Sequence, residues 1–386
     1  MQLKGWPDMS NAFVEDVRLR LAERGFSEAS VEKISEVMPA ETDVETIRQV
    51  QLELSGLGRL GQVLTDPWVT DVVVNADGSV WQDRGEGMER LGIELVAEEA
   101  RNLAVHMAAT CGSRLDDAMP YADGVLTGLP ADIPAAAIRM HAVLSPPVQG
   151  GTCISLRMLK TSGLSIEQLV RDRFVSVELA EALRGIVDNR KNVLISGGTG
   201  AGKTTLLATM LGEVPGWQRC IVVEDTPELM PGHPHVVSLT ARRGNAEGKG
   251  AITMQTLVKQ CLRMRPDRIV VGEIRGAEVA DLLVALNTGH AGSAGTIHAN
   301  SPQAVPGRLD ALGAMAGLPE RALARQAVDG IDVLLHVART AEGRRLTHVG
   351  QLALDNRQRL DVRMLWANGP CDGWSNFMMD LGQQAA

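Results

Sequence analysis

The chain has 386 residues, two to three times the length of a common single domain, so a lone small binding module is excluded and two main domains are expected. Hydrophobic residues make up 45% and charged residues 22%, with no run of about 18 apolar residues, which is globular composition without a membrane-spanning helix. A formal charge of -9 and an aromatic share of 3% argue against a surface that grips nucleic acid or stacks its bases.

Met1 to Ser10 lack a basic start followed by an apolar core, so no secretory signal is expected and the cytoplasm is the expected compartment. From Val14 to Leu54, apolar residues such as Val17, Leu21, Ile34, Val37, Ile47 and Val50 recur mostly every three or four positions between charges, the spacing of amphipathic helices. Gly56 to Gly61 reads as a loop. Val69 to Asn75 and Ser79 to Arg84 read as strands joined at Asn75-Ala76-Asp77-Gly78. Ala97 to Cys111 returns to helical spacing, a Pro- and Gly-rich stretch covers Pro120 to Pro134, and Ile138 to Leu144 and Thr152 to Arg157 are further strands. Five cysteines (Cys111, Cys153, Cys220, Cys261, Cys371), odd in number and without a CxxC pair, support neither a disulfide framework nor a structural zinc site.

The texture changes after Lys160. Ser165 to Asp188 reads as one helix, and then short apolar runs alternate with longer helical patterns: Val193 to Ser196, Cys220 to Val223, Val236 to Leu239, Ile269 to Val271 and Ala294 to Ile297. That alternation predicts a mostly parallel sheet covered by helices on both faces. Ala304 to Leu312 and Pro319 to Val328 are helical, and Val333 to Ala338, Leu346 to Leu354 and Leu360 to Leu365 are late strands. The expected organisation is a helical arm over 1–55, a smaller α+β domain over 56–160, and an α/β domain over 161–386 whose C-terminal part is helical.

Gly197-Gly198-Thr199-Gly200-Ala201-Gly202-Lys203-Thr204-Thr205 is the sharpest signal, because it matches G-x-x-x-x-G-K-[ST] between an apolar strand and a helical segment. Glycines let consecutive backbone N–H groups face one phosphate, Lys203 brings charge to the β/γ oxygens, and the Thr204 hydroxyl can ligate Mg²⁺. A nucleoside triphosphate with Mg²⁺ is therefore the expected cofactor. Such a loop needs a carboxylate to orient water. Glu273 follows the run Arg268-Ile269-Val270-Val271-Gly272, and Glu224 ends Ile221-Val222-Val223, with Asp225 and Glu228 behind it. Gly289 to Asn300 packs two histidines and three glycines around a strand, which makes His298 a candidate sensor of the γ-phosphate and His290 a weaker one. Arg263, Arg265, Arg268 and Arg275 flank the Glu273 segment, while Arg139 and Arg157 lie on strands of the first domain; a guanidinium delivered from another domain or subunit would stabilise transition-state charge.

The order of these motifs resembles the ATPases of type II and type IV secretion systems, and within them the tight-adherence (Flp/Tad) pilus-assembly ATPases and their conjugal-transfer relatives. The resemblance runs from about Gly58 to Arg308, with Gly197 to Thr205 as Walker A, Ile221 to Leu229 as the acidic box, Leu262 to Gly276 as Walker B and Gly289 to Ser301 as the histidine box. It implies a RecA-like P-loop NTPase domain preceded by a PAS-like domain, ATP and Mg²⁺ as cofactors, and a homo-hexamer working at the inner face of the cytoplasmic membrane. The partners it implies are inner-membrane platform proteins of a pilus or secretion machine. By the same resemblance Glu273 is the catalytic glutamate, Glu224 and Glu228 assist metal and water binding, His298 senses nucleotide state, and Arg139 or Arg157 reaches toward the nucleotide. Before the Arg139 strand the family's short Leu-Pro-Asp-Gly turn is replaced by Leu129-Pro130-Ala131-Asp132-Ile133-Pro134-Ala135-Ala136-Ala137, longer and without glycine. Two other readings use the same core: a nucleic-acid translocase, disfavoured by charge, and a scaffold that binds nucleotide without hydrolysis, disfavoured by the presence of Lys203, Glu273 and His298. A small-molecule kinase is weaker still, since a large N-terminal domain with arginines on strands is no dedicated substrate pocket.

Overall fold

The computed structural model describes residues 11–26, 29–85, 87–159, 163–242 and 250–382. The expectations for Met1 to Ser10, for the Lys160 boundary and for the last four residues lie outside the described residues. The chain divides into two compact units, Met1–Thr161 and Ser162–Ala386.

The first unit opens with helices α1 (Asn11–Glu23), α2 (Val31–Val37) and α3 (Val44–Leu54). They pack through Val17, Leu21, Ile34, Val37, Ile47 and Val50, the residues whose spacing predicts them. Asp43 caps α3 by accepting from the Thr46 N–H at 2.9 Å, which satisfies a donor that the first helical turn leaves open. Gly56 to Gly61, expected as a loop, tightens into a 3₁₀ turn at Gly58–Leu60 and runs on into the short α4 (Gly61–Leu64). Leu57, Leu60 and Leu64 are buried there, and sinking their side chains holds the segment in tight turns.

Six strands follow: β1 (Asp71–Val74), β2 (Ser79–Asp83), β3 (Met88–Glu94), β4 (Tyr121–Leu126), β5 (Ala137–Val143) and β6 (Cys153–Leu159). They form one antiparallel sheet in the order β3-β2-β1-β6-β5-β4, and α5 (Ala97–Thr110) lies over one face, contributing Ala100, Ala104, Met107 and Ala108 to a core with Val72, Val74, Ile138, Met140 and Leu156. Two of these strands correct the sequence reading. β4 falls inside the Pro- and Gly-rich stretch read as loop, and β3 is almost wholly exposed, so neither presents an alternating apolar face.

The second unit is built on an eight-stranded sheet in the order β14-β13-β12-β7-β11-β10-β8-β9. Its strands are β7 (Val193–Gly197), β8 (Cys220–Glu224), β9 (Val236–Thr240), β10 (Arg268–Val271), β11 (Ala294–His298), β12 (Val333–Thr340), β13 (Gly343–Leu354) and β14 (Leu360–Ala367). The strands from β7 to β12 pair in parallel, while β13 and β14 add antiparallel hairpins at one edge. Helices cover both faces, as fully apolar strands require. On one side α6 (Ile166–Arg171), α7 (Val177–Asp188), α8 (Lys203–Gly212) and α13 (Trp374–Asp380) share a core that includes Leu183, Leu207, Trp366 and Phe377. On the other, α9 (Met254–Cys261), α10 (Glu278–Asn287), α11 (Val305–Met315) and α12 (Glu320–Gly330) close over Ile221, Ile269, Leu282 and Leu323.

The predicted helix over Ser165 to Asp188 is two helices. Arg173 takes a left-handed backbone, φ 57°, which stops α6, and Ser176 restarts the helix by accepting from the Leu179 N–H at 3.2 Å. The break sinks Phe174 into the core beside the glycine-rich loop. Beyond β11, helices α11 and α12 and then strands β12 to β14 follow, at the positions of the predicted helical stretch and late strands. Among the described residues, no helix is long and apolar enough to cross a membrane.

Candidate nucleotide site

Parallel strands end together, and their carboxyl ends are where open α/β sheets place ligands. β7 ends at Gly197 and delivers residues 198–202 as a loop into the first turn of α8. Gly200 and Gly202 hold left-handed backbones, φ 67° and 103°, a geometry that side-chain-bearing residues resist. A methyl group on Gly202 would also stand 2.8 Å from Phe174 Cε2. The loop's N–H groups and the amino end of α8 make a cradle for an anion.

β11 lies beside β7 with His298 opposite Gly197, and β10 lies beside β11 with Val271 opposite Gly295. The turn after β10 is tied to β11 twice: Ile274 N donates to Thr296 O at 2.8 Å, and Thr296 Oγ1 donates to Gly272 O at 2.6 Å. These bonds fix Glu273 next to His298. Lys203 Nζ donates to Gly197 O at 3.0 Å and Gly198 O at 2.9 Å, and lies 3.5 Å from His298 Nδ1, the outer limit of hydrogen bonding. His298 Nε2 is 3.3 Å from Glu273 Oε1, and Arg275 Nη2 donates to Glu273 Oε2 at 2.6 Å. An imidazole that accepts from Lys203 and donates to Glu273 is the neutral Nε2–H tautomer. The structure thus brings the predicted residues Lys203, His298 and Glu273 into one chain of contacts, with Arg275 at its end.

The charges agree with that pattern. Burial alone raises the Glu273 carboxyl, but the hydrogen bond and charge of Arg275, helped by His298 and Lys203, leave it below the ordinary carboxylate value, so it is ionised near neutrality. Burial and the charge of Lys203 lower His298, which keeps it neutral. Burial likewise lowers Lys203, with Glu273 acting against it. Glu228 is close enough for its charge to act on both Lys203 and Arg275.

Glu224 is placed differently. It is only 6% exposed, and its Oε1 accepts from the backbone N–H groups of Glu228 at 3.2 Å and Leu229 at 3.0 Å. Burial, opposed by those two bonds, pushes its carboxyl up to about 7. Its side chain therefore holds the acidic loop's shape from beneath. Glu278 performs a similar service for the next turn: its Oε1 accepts from Arg275 N at 2.6 Å and Gly276 N at 2.8 Å. The sequence reading missed Glu278; the signal was an acid three residues after Arg275 at the start of a helix, a local capping pattern.

The remaining basic candidates separate. Arg263 and Arg265 precede β10, at the opposite end of that strand from Glu273, and are exposed. Arg268 is 3% exposed and donates to Gln218 Oε1, Val187 O and Gly292 O, so it straps elements together and does not face the loop. His290 Nδ1 lies 3.3 Å from Ala285 O at the end of α10. In the first unit Arg139 and Arg157 stand opposite each other on β5 and β6, and Arg157 Nε donates to Asp71 Oδ1 at 2.9 Å.

A glycine-rich loop at the carboxyl end of a mostly parallel sheet, with a carboxylate and an imidazole on the next strands, defines an α/β ATPase fold. The chain belongs to the type II/IV secretion system protein family, whose model matches residues 53–341, and so to the secretion ATPase superfamily. A Mycobacterium tuberculosis protein provisionally named as a conjugal transfer protein is 51% identical over 310 residues, 80% of this chain and 88% of the relative. The conjugal transfer protein TrbB of Rhizobium radiobacter is 30% identical over 313 residues, 78% of this chain and 89% of the relative. Among solved structures, the pilus retraction motor PilT with bound ADP superposes with a TM-score of 0.56 at 16% identity, covering 83% of this chain and 85% of that one, a likeness of fold.

Proposed function

We propose that the protein is an ATP-hydrolysing motor that powers assembly of a Tad/Flp-type pilus or a related type II/IV secretion machine. The observation that carries this reading is the contact chain from Lys203 through His298 to Glu273 at the mouth of the glycine-rich loop. Residues 197–205 cradle the phosphates, and Lys203 exchanges its carbonyl contacts for β/γ oxygens. Glu273, ionised and held by Arg275, orients the attacking water, which is what a carboxylate contributes to phosphoryl transfer. His298 bridges the cation and the carboxylate and so registers what lies between them. Glu228 assists from the acidic loop, which Glu224 supports.

The residues fit a divalent ion bound with the nucleotide. The Thr204 hydroxyl, in the first turn of α8, has no hydrogen-bond partner among the described residues. No cluster of three or more acidic, His or Cys side chains among the described residues is arranged to hold a metal alone. Mg²⁺, which commonly takes one or two protein oxygens plus phosphates and water, matches that supply. Bound there, it would neutralise charge on the β and γ oxygens.

The finer parts of the reading follow the family. The protein works as a homo-hexamer at the inner face of the cytoplasmic membrane, with inner-membrane platform proteins as partners and no direct nucleic-acid contact; the charge of -9 supports the last point. The first unit serves as a PAS-like domain, a reading supported by its antiparallel sheet with a helix on one face, and by the family resemblance Arg139, or Arg157 as the second candidate, is its arginine for a nucleotide. Names of relatives that include conjugal transfer support a secretion machine as strongly as a pilus.

The test is a pair of variants. Lys203→Ala loses ATP binding and turnover, while Glu273→Gln binds ATP as the wild type does and turns over about 100-fold more slowly or worse. Unchanged turnover in either variant sinks the corresponding assignment.

A further inference from the structure

A nucleotide in the 197–202 loop has two ends, and the sheet separates them. Glu273 and His298 stand on the β10 and β11 side of β7, which therefore takes the γ-phosphate. The other neighbour of β7 is β12, so the nucleoside end leaves on that flank. There Val337 pairs with Gly197, and β12 continues to Thr340 before turning back as β13, which projects the hairpin beyond the strand end that launches the phosphate loop.

Arg344 lies on this hairpin, paired across it with Arg339. Side chains alternate along a strand, so Arg344 shares a face with Leu346, and Leu346 sits in the same core as Leu206 and Leu207 of α8. That places Arg344 on the α8 side of the sheet, at its carboxyl end. A methyl group on Gly202 would come within 3.9 Å of Arg344 Cδ, and Leu346 N donates to Phe174 O at 2.9 Å, which fixes the hairpin against the Phe174 loop. Arg344 is exposed and forms no ion pair with the described residues, whereas Arg345, on the other face, pairs with Glu342. The family model ends at residue 341, short of this position.

We propose that Arg344 binds the α-phosphate of the nucleotide held in the 197–205 loop, as the anchor of its nucleoside end. The inference rests on the reading of that loop as a phosphate site. A guanidinium presents planar paired donors that match phosphate oxygens, and its stem here already runs beside the loop's last glycine.

Calorimetric titration of MgADP into the full chain tests it, using the wild type and Arg344→Gln, Arg344→Lys and Lys203→Ala. Arg344→Gln keeps the aliphatic stem and loses the charge; it weakens ADP about tenfold, the scale of one charge-assisted hydrogen bond, with the melting temperature unchanged. Arg344→Lys recovers part of that loss. Affinity within twofold of wild type in Arg344→Gln, or equal losses in the Gln and Lys variants, overturns the assignment. If Lys203→Ala also binds ADP as the wild type does, the phosphate-loop reading itself is wrong, a separate failure.

Discussion

Glu224, read in sequence as an aid to metal and water binding, also supports the acidic loop in space. An acid at a strand end after a phosphate loop reads as part of the metal shell, and here the carboxyl is buried with Oε1 accepting from the N–H groups of Glu228 and Leu229. Burial raises it to about 7, and the direction of the consequence follows from proton counting. Between the ordinary value of 4.5 and about 7 the folded chain keeps a proton that the unfolded chain releases, so this contribution to stability is complete below 4.5 and is lost as pH rises through about 7. Glu224→Gln keeps an acceptor for both N–H groups and cannot ionise. Thermal melts in nucleotide-free, metal-free buffer should show the wild type losing stability from pH 5 to 8 relative to Glu224→Gln; parallel curves would refute the buried-acid account. Glu224→Ala, which orphans two donors, should instead destabilise at every pH.

At the level of elements, legibility followed contiguity. The phosphate loop, the strand ahead of it, the strands ending at Glu224 and His298 and the strand just before Glu273 could be read because each is a local pattern set by backbone geometry and by burial on both faces. The break between α6 and α7 could not, because Phe174 and Val175 continue an apolar pattern through a point where only the left-handed Arg173 interrupts the backbone. β3 escaped because its exposed strand has no face to hide. Arg268 escaped for another reason: its partners Gln218, Val187 and Gly292 are distant in sequence, so nothing near it distinguishes a strap from a phosphate ligand. Its role is testable. Arg268→Ala leaves Gln218 Oε1 and Gly292 O without a donor in the interior, while Val187 O keeps the Arg190 N–H, and should lower unfolding free energy by about 3 kcal/mol in urea titration, while a folded sample still binds ADP. A loss below about 0.5 kcal/mol would place Arg268 among dispensable surface charges.

At the scale of the whole molecule, the family match runs from residue 53 to 341 and so takes in parts of both compact units, including the strands that carry Arg139 and Arg157. If those arginines serve a neighbour's nucleotide in a ring, then mixing Arg139→Ala with Lys203→Ala, each inactive alone, should restore part of the turnover, since some neighbouring pairs then hold one intact loop and one intact arginine. The rate per subunit of the wild type should also climb with protein concentration as a hexamer-sized species forms by light scattering. Steady turnover from a monomer would make the site self-contained and remove the need for a ring.

The position of β7 between β11 and β12 bears on how such a chain can change over time. Glu273 and His298 hang from one neighbour's side and the β12–β13 hairpin from the other, and the strand between them leads into the loop. If Arg344 anchors the nucleoside end, substitutions in the hairpin alter how tightly nucleotide is held without touching Glu273 and His298 on the opposite flank.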